Sequence, residues 1–279
     1  MNTNWKLTTA AVAGARHQRA ARNGQDAVAS WLGADAAAIV VCDGCSAGAG
    51  SEMGARLGAQ LVTGALARRL AGGAAAGDEA MWRGVRAETV ASLAQLLEHF
   101  GPELESGSGR SRFGDVREDA LRDGFLFTIV AAAVSRDEVA VWALGDGAYA
   151  LGTSSRVLGP FADNAPPYLA YDLLGEPHEA HLRVELASCG SVVIATDGVV
   201  DLIEAGTARE HESESDRTGQ VLSALAAPAL TRPDALRRHL ALLARSGERI
   251  DWDARRVVRT PAPLQDDCAV ASLRWELPS

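Results

Sequence analysis

Apolar runs in this chain end repeatedly on one dipeptide: IVVC on Asp43-Gly44, VWALG on Asp146-Gly147 and VVIAT on Asp197-Gly198. Asp-Gly is a favoured turn pair, and at Asp146, where another strand signal follows at once, a turn explains it as readily as chemistry does. A Gly-rich loop and a helix follow Asp43, and a helix follows Asp197, so neither reads as a hairpin. A carboxylate at the end of a buried strand costs desolvation free energy unless its charge is compensated, and a divalent cation compensates it. Two further acids flank strand signals: Asp26, after Gln25, precedes Ala27–Leu32, and Asp266, in the pair Asp266-Asp267, precedes Cys268–Leu273. Singly each is an ordinary exposed turn acid. Jointly, Asp26, Asp43, Asp197 and Asp266 sit where strand-edge carboxylates could share one metal centre.

Carboxylate oxygens without a His cluster select Mg²⁺ or Mn²⁺ over Zn²⁺ or copper. His99, His178, His181, His211 and His239 have no ligand spacing. Two hard cations about 4 Å apart lower the pKa of a bridging water and orient it for in-line attack on phosphorus. The substrate class this chemistry suggests is a phosphate ester.

The elements that must position these acids are legible as blocks. Ala36–Cys42 is a buried strand entering a turn, and the apolar spacing over Glu52–Leu70 and Asp78–His99 predicts two long helices. Phe100–Asp123, rich in Gly, Ser, Pro and charge, is expected to be a surface loop. Phe125–Ser135, Glu138–Leu144 and Ala148–Gly152 read as an antiparallel meander, with further strands at His181–Leu186, Ser191–Thr196 and Cys268–Trp275. Helices are expected from near Val199, over Thr218–Leu230 and over Pro233–Arg245. Strand runs interrupted by helix pairs argue for an α+β fold of largely antiparallel sheets flanked by helices rather than a doubly wound one.

The chain has 279 residues, 47% of them apolar and 23% charged, which suits one large folded domain. Its net charge of −9 repels nucleic acid and anionic membrane surfaces, so neither is expected as a partner. No apolar run approaches the roughly 18 residues a membrane span needs, and residues 1–21 lack the apolar stretch of a signal peptide. Cys42, Cys45, Cys189 and Cys268 are expected to be reduced thiols, and the protein is expected to be cytoplasmic. Cys42-x-x-Cys45 stands alone, without a second pair, and reads as buried structural thiols rather than a zinc or redox site. The six Trp residues read as core and rim packing.

The ordered set HQRAARNGQDA, VVCDGCSAGAGSEMGA, FLFTIVAAAV with VWALGDGAYAL, VVIATDGVVDLI and DDCAVASL resembles the protein phosphatase 2C family over residues 12–275. The spacing from His17 to Gln25-Asp26, with Gly147 and Asp267 where many members carry Ser and Asn, is most similar to a bacterial subgroup. The resemblance implies a four-layer α-β-β-α sandwich with two central sheets and a binuclear Mn²⁺ or Mg²⁺ site that hydrolyses phosphoserine or phosphothreonine in proteins. It implies that Asp43 bridges the two ions, that the Gly44 carbonyl binds one and that Asp197 and Asp266 hold the other. Asp26 then acts directly or through water, and Asp146 with Asp201 matches the acids of a third, weaker site. A phosphoprotein and a cognate Ser/Thr kinase are the implied partners.

Three positions depart from the family pattern. Gln25 stands where many members carry Glu, Cys45 where some carry a His that acts as general acid, and Ala21 where an Arg usually holds the phosphate. Arg22, Arg19 or His17 could replace that Arg, since guanidinium offers forked donors to phosphate oxygens. A phosphatase-fold binding module without catalysis is the rival reading. A nucleotide-dependent oxidoreductase, suggested by Gly48, Gly50 and Gly54, is a weaker one, because the loop begins too far past its strand.

Overall fold

Strict alternation along the central strands sorts their side chains between two cores. In the computed structural model, which describes residues 3–48, 50–108, 116–205, 213–227, 230, 232 and 234–276, the strands run in chain order as β1 (Asn4–Val12), β2 (Ala27–Leu32), β3 (Ala37–Cys42), β4 (Ile129–Val134), β5 (Glu138–Leu144), β6 (Gly147–Leu151), β7 (Ser154–Leu158), β8 (His181–Leu186), β9 (Ser191–Ala195), β10 (Gly247–Asp251), β11 (Arg256–Thr260) and β12 (Cys268–Glu276). The helices are α1 (Ala15–Arg19), α2 (Ser51–Ala71), α3 (Glu79–Ser108), α4 (Val116–Gly124), α5 (Val199–Ala205), α6 (Glu214–Leu225) and α7 (Ala235–Leu243). One antiparallel sheet has the order β1-β12-β9-β6-β7, a second the order β2-β3-β4-β5-β8, and β10-β11 forms a separate ladder.

In β3, Ala37, Ile39 and Val41 point into the space between the sheets, whereas Ala38, Val40 and Cys42 point outward against α2 and α3. The same period of two divides β4 and β5. In the first sheet, Ile194, Ala269, Ala271 and Leu273 face the shared interior, while Val193, Ala195, Cys268 and Val270 face α5, α6 and α7. A strand buried on both faces loses the apolar-polar alternation, which is why β3 reads as a continuous apolar run. The result is helix, sheet, sheet, helix: the four-layer α+β sandwich that the sequence led us to expect. Among the described residues no helix is long and apolar enough to cross a membrane.

Two expectations are corrected. The expected loop over Phe100–Asp123 is instead the last turns of α3 and most of α4, with 109–115 outside the described residues. Gly101-Pro102 and the charge read as a stop, but Ala120 and Leu121 are buried against the α2-α3 layer and dock α4 there. Burial of one face outweighs weak local propensity. The expected meander also breaks: β4 and β5 pair, yet β6 belongs to the other sheet. The chain leaves β5 through Gly145 (φ +99°) and Gly147 (φ +136°), and a Cβ at Gly147 would sit 2.7 Å from the Ala195 carbonyl oxygen. That close approach and left-handed backbone let the chain cross between sheets at Asp146.

The helix expected over Thr218–Leu230 runs over Glu214–Leu225, started by a Ser213/Asp216 capping box, and that over Pro233–Arg245 shortens to Ala235–Leu243. The described strands pair only antiparallel, which removes the dinucleotide-binding reading.

Candidate metal centre

Register brings the acids to one end of the sandwich. Ala27 pairs with Cys42, and Asp26 and Asp43 each lie one residue beyond that pair. Ala148 pairs with Ala195, and Asp146 and Asp197 each lie two residues beyond it. Ala195 also pairs with Val270, so the segment carrying Asp266 approaches the same end from β12. Strand polarity therefore gathers acids that are up to 240 positions apart in the chain.

Asp43-Gly44 is held on both sides. The Gly44 N–H donates to the Gln25 carbonyl at 3.2 Å, and the Asp43 carbonyl accepts from the Thr128 N–H at 2.8 Å. A Cβ at position 44 would lie 2.7 Å from the Ser51 carbonyl oxygen and 3.0 Å from that of Gln25, so only glycine fits. Gln25 itself turns away from the acids: its Nε2 donates to Ser51 Oγ at the start of α2 and to the Cys45 carbonyl at 3.4 Å. A carboxylate could not donate to that carbonyl, which gives the amide at this position a physical role.

Asp26 is buried, and its Oδ2 accepts from the Thr196 hydroxyl, which in turn accepts from the Ala269 N–H at 2.8 Å. Thr196 thus ties β9, β12 and Asp26 together. Thr196→Val is expected to lower stability by about 1–3 kcal/mol, the cost of unpairing buried polar groups. Urea denaturation measures this, and an unchanged midpoint would contradict it.

Asp267 and Asp201 have different employment. The two Asp267 oxygens accept from the N–H groups of Gly14 (2.8 Å) and Gln25 (2.6 Å) and from His17 Nδ1 (2.6 Å), which fastens the α1 segment and the start of β2 to the turn before β12. Asp201 Oδ2 accepts from the N–H groups of Gln265 (2.8 Å) and Asp266 (2.9 Å), and so orients the backbone that presents Asp266. Of the cations expected on phosphate, His17 is engaged on Asp267, Arg19 reaches the Gln265 side chain at 3.2 Å, and Arg22 is exposed with no side-chain partner among the described residues. Arg16 Nη1 lies 3.7 Å from Asp266 Oδ2.

The acids perturb one another. Burial first, then the Asp267 and Asp266 charges, push Asp26 up to about 7, against lowering hydrogen bonds from Asp43 and Thr196. Burial, then the charges of Asp146, Asp26 and Asp266, push Asp197 up to about 8. Asp43 is held well above the ordinary range by burial, then by the charges of Asp26 and Asp197. Burial also raises Asp146. A site that concentrates negative charge until its carboxyls retain protons near neutrality is one where a cation can replace those protons.

Asp26 Oδ1 and Asp146 Oδ1 are buried and without a hydrogen-bond partner. Orphaned carboxylate oxygens in an all-oxygen donor set fit a hard divalent cation. Among the described residues no three His, Cys, Asp or Glu side chains already close on one point. Mg²⁺-type ions tolerate this, since they keep several waters and take few protein ligands. Cys42 is fully buried and its thiol is pushed well up by burial and then by Asp43 and Asp26, so it offers no thiolate.

The sequence reading passed over Thr196 and Arg56. Thr196 is the residue before the Asp-Gly pair, a signal available in TDG. Arg56 on α2 shares with Asp26, Gly24 and Gln60 the wall of a cavity of about 430 Å³, and nothing in the sequence joins it to the acids.

No curated protein sequence matches the chain significantly. Among solved structures, the catalytic domain of the serine threonine protein phosphatase PstP in complex with two manganese ions superposes with a TM-score of 0.53 at 15% identity, covering 99% of both chains. PppA, a regulatory component of T6SS in Pseudomonas aeruginosa, gives 0.53 at 16% identity over 99% of both chains, and the serine/threonine phosphatase Stp1 from Staphylococcus aureus gives 0.52 at 13% over 99% of this chain and 97% of that one. At such identities the likeness is one of fold. The family model described as protein phosphatase 2C matches residues 13–241, most of the chain, and with the four-layer sandwich in place the chain belongs to the protein phosphatase 2C family.

Proposed function

We propose that the chain is a Mn²⁺- or Mg²⁺-dependent phosphatase acting on phosphoserine and phosphothreonine in proteins. The observation that carries this reading is the meeting of Asp26, Asp43, Asp146, Asp197 and Asp266 at one end of the sandwich: burial raises the proton affinity of the first four, neighbouring charges add to it at Asp26, Asp43 and Asp197, and Asp26 Oδ1 and Asp146 Oδ1 have no hydrogen-bond partner. Asp43 and the Gly44 carbonyl would hold one ion, and Asp43, Asp197 and Asp266 the other, with Asp26 supporting the first. Asp146 and the free oxygen of Asp201 would serve a third. When bound, such ions supply a water of lowered pKa and positive charge facing the phosphate oxygens. The two manganese ions in the PstP structure support this reading.

The chain's own residues then orient and balance charge. Thr196 fixes the Asp26 carboxylate, Asp267 and His17 lock the loop between β1 and β2, and Asp201 sets the backbone at Asp266. Arg22, with its guanidinium free among the described residues, is the cation we assign to phosphate ahead of Arg19 and His17. A cognate Ser/Thr kinase would supply the phosphoprotein.

Asp201→Ala is expected to raise the Mn²⁺ concentration for half-maximal activity by about 10–100-fold, the usual cost of losing an orienting partner. Asp201→Asn, whose amide oxygen can still accept both N–H groups, is expected to lose less. Equal Mn²⁺ dependence in wild type and Asp201→Ala would contradict the orienting role.

A metal-binding module without hydrolysis is the second reading, favoured by Ala21 and by Gln25 turned toward Ser51. Phosphate release from a phosphothreonine peptide, with Mn²⁺ and with chelator, separates the two. Mn²⁺-dependent release supports the enzyme; a folded, Mn²⁺-binding protein that releases none supports the module.

A further inference from the structure

The hairpin β10-β11 lies beyond residue 241, where the family match ends, and among the described residues it carries three of the seven exposed large hydrophobic side chains. Ile250 and Val257 are cross-strand partners, so they form one apolar pair on one face, yet they are 53% and 56% exposed. Trp252 follows at the turn and is 79% exposed. A cross-strand pair of this kind ordinarily stabilises a sheet by packing on a core. The turn is closed by Ala254 N–H on Asp251 Oδ1 at 3.0 Å, so this is a built structure.

Charge on the arm is uneven. Arg259 pairs with Glu248 at 3.0 Å and Arg256 reaches Asp251 at 4.0 Å, whereas Arg249 and Arg255 have no acidic partner among the described residues. Arg255 shares the turn with Trp252, and Arg249, paired with Val258, lies on the face opposite Ile250 and Val257. A segment laid along the edge of the ladder presents alternate side chains to both faces, so on a chain of net charge −9 these guanidinium groups and the exposed apolar pair complement a segment that is both acidic and apolar. Among the described residues no strand pairs with either edge of the ladder, so both can take a further strand.

The arm is rooted at the candidate centre. Thr260 precedes Asp266 by six residues, a reach of at most about 20 Å. The intervening segment is clamped by Leu264 N–H to the Leu243 carbonyl (3.0 Å) and by the Ala15 and Arg16 N–H groups to the carbonyls of Leu264 (3.3 Å) and Gln265 (3.0 Å). The root of the arm and the acids therefore share one rim.

We propose that the β10-β11 arm docks the phosphoprotein substrate by a segment near its phosphoresidue carrying acidic and large apolar side chains. Arg249 and Arg255 meet the acids, and Trp252, Ile250 and Val257 cover the apolar residue. This rests on the phosphatase reading, and one set of proteins tests the two separately. Two fluorescent phosphothreonine peptides, one flanked by Glu and Leu and one by Lys and Ser, are titrated with wild type and with the Arg249→Glu/Trp252→Ala/Arg255→Glu variant. All three positions are exposed, and p-nitrophenyl phosphate turnover should be unchanged.

Anisotropy is expected to show wild type binding the acidic peptide about tenfold more tightly than the basic one, and the variant losing that preference. Equal binding of both peptides by wild type, or an unchanged preference in the variant, would overturn the proposal. So would a wild-type dimer that becomes monomeric in the variant while peptide preference stays the same, which would assign the arm to self-association. Absence of p-nitrophenyl phosphate turnover by wild type with Mn²⁺ would sink the phosphatase reading, while anisotropy still decides the arm.

Discussion

Asp43→Asn is expected to reduce Mn²⁺-dependent phosphate release by about 10³-fold or more and, without metal, to raise the melting temperature. The first effect follows from the proposed place of Asp43 between the two ions, since charge stabilisation of several kcal/mol at the reacting phosphate corresponds to about that factor. The second follows from electrostatics within the chain. Asp43 faces Asp26, Asp197 and Asp146, and its own carboxyl is held well above the ordinary range by burial and by those charges. An amide keeps the shape and adds no charge. Relief of on the order of 1–2 kcal/mol would move the midpoint of a chain this size up by a few degrees. Loss of activity with lower stability would instead mark Asp43 as a structural residue.

The pH dependence of stability should reverse when metal is added. In the unfolded chain a carboxyl titrates near pH 4, whereas in the metal-free fold Asp26 titrates at about 7 and Asp197 at about 8. Between those values the folded state holds protons that the unfolded state has released. The derivative of unfolding free energy with pH follows protons bound in the unfolded state minus those in the native state, so it is negative here. The stabilising contribution is present at low pH and is lost as pH rises through about 7 and 8, at a cost on the order of a few kcal/mol. A divalent cation replaces those protons, and its binding strengthens as they leave. Thermal melts at pH 6 and pH 8 are expected to show the chelated protein less stable at pH 8 and the Mn²⁺-loaded protein gaining most there. Parallel slopes with and without Mn²⁺ would contradict the assignment of these acids to a metal.

What the sequence made legible was local. Asp43 and Asp197 stand out because each ends a buried strand and opens something other than a hairpin, and β3, β5 and β9 announce themselves as apolar runs. That Asp26 and Asp43 end one residue past a shared pair, or Asp146 and Asp197 two residues past another, depends on register between strands distant in sequence. No local signal carries that. Asp146 illustrates the limit: its Asp-Gly pair is a turn, but one that moves the chain between sheets.

The misread segments have physical reasons. Gly101-Pro102 punctuates α3 strongly enough to suggest a loop, whereas the docking of Ala120 and Leu121 that places α4 is a tertiary fact. The edge strand β1 mixes exposed and half-buried residues and lacks a clean alternation. The ladder β10-β11 is exposed almost throughout, so hydrophobic pattern could not reveal it. Asp201 and His17 were legible as residue types but not in employment: one oxygen of Asp201 is taken by the backbone at Asp266, and the His17 ring holds Asp267.

The central claim is that the clustered carboxylates are a divalent-metal centre, and titration of Mn²⁺ into the metal-free protein at pH 8, followed by the electron paramagnetic resonance signal of free Mn²⁺, tests it most directly. The expected result is at least two saturable ions per chain for wild type, with Asp43→Asn losing saturable binding. A free-Mn²⁺ signal that rises from the first addition, the same for wild type and Asp43→Asn, would contradict it.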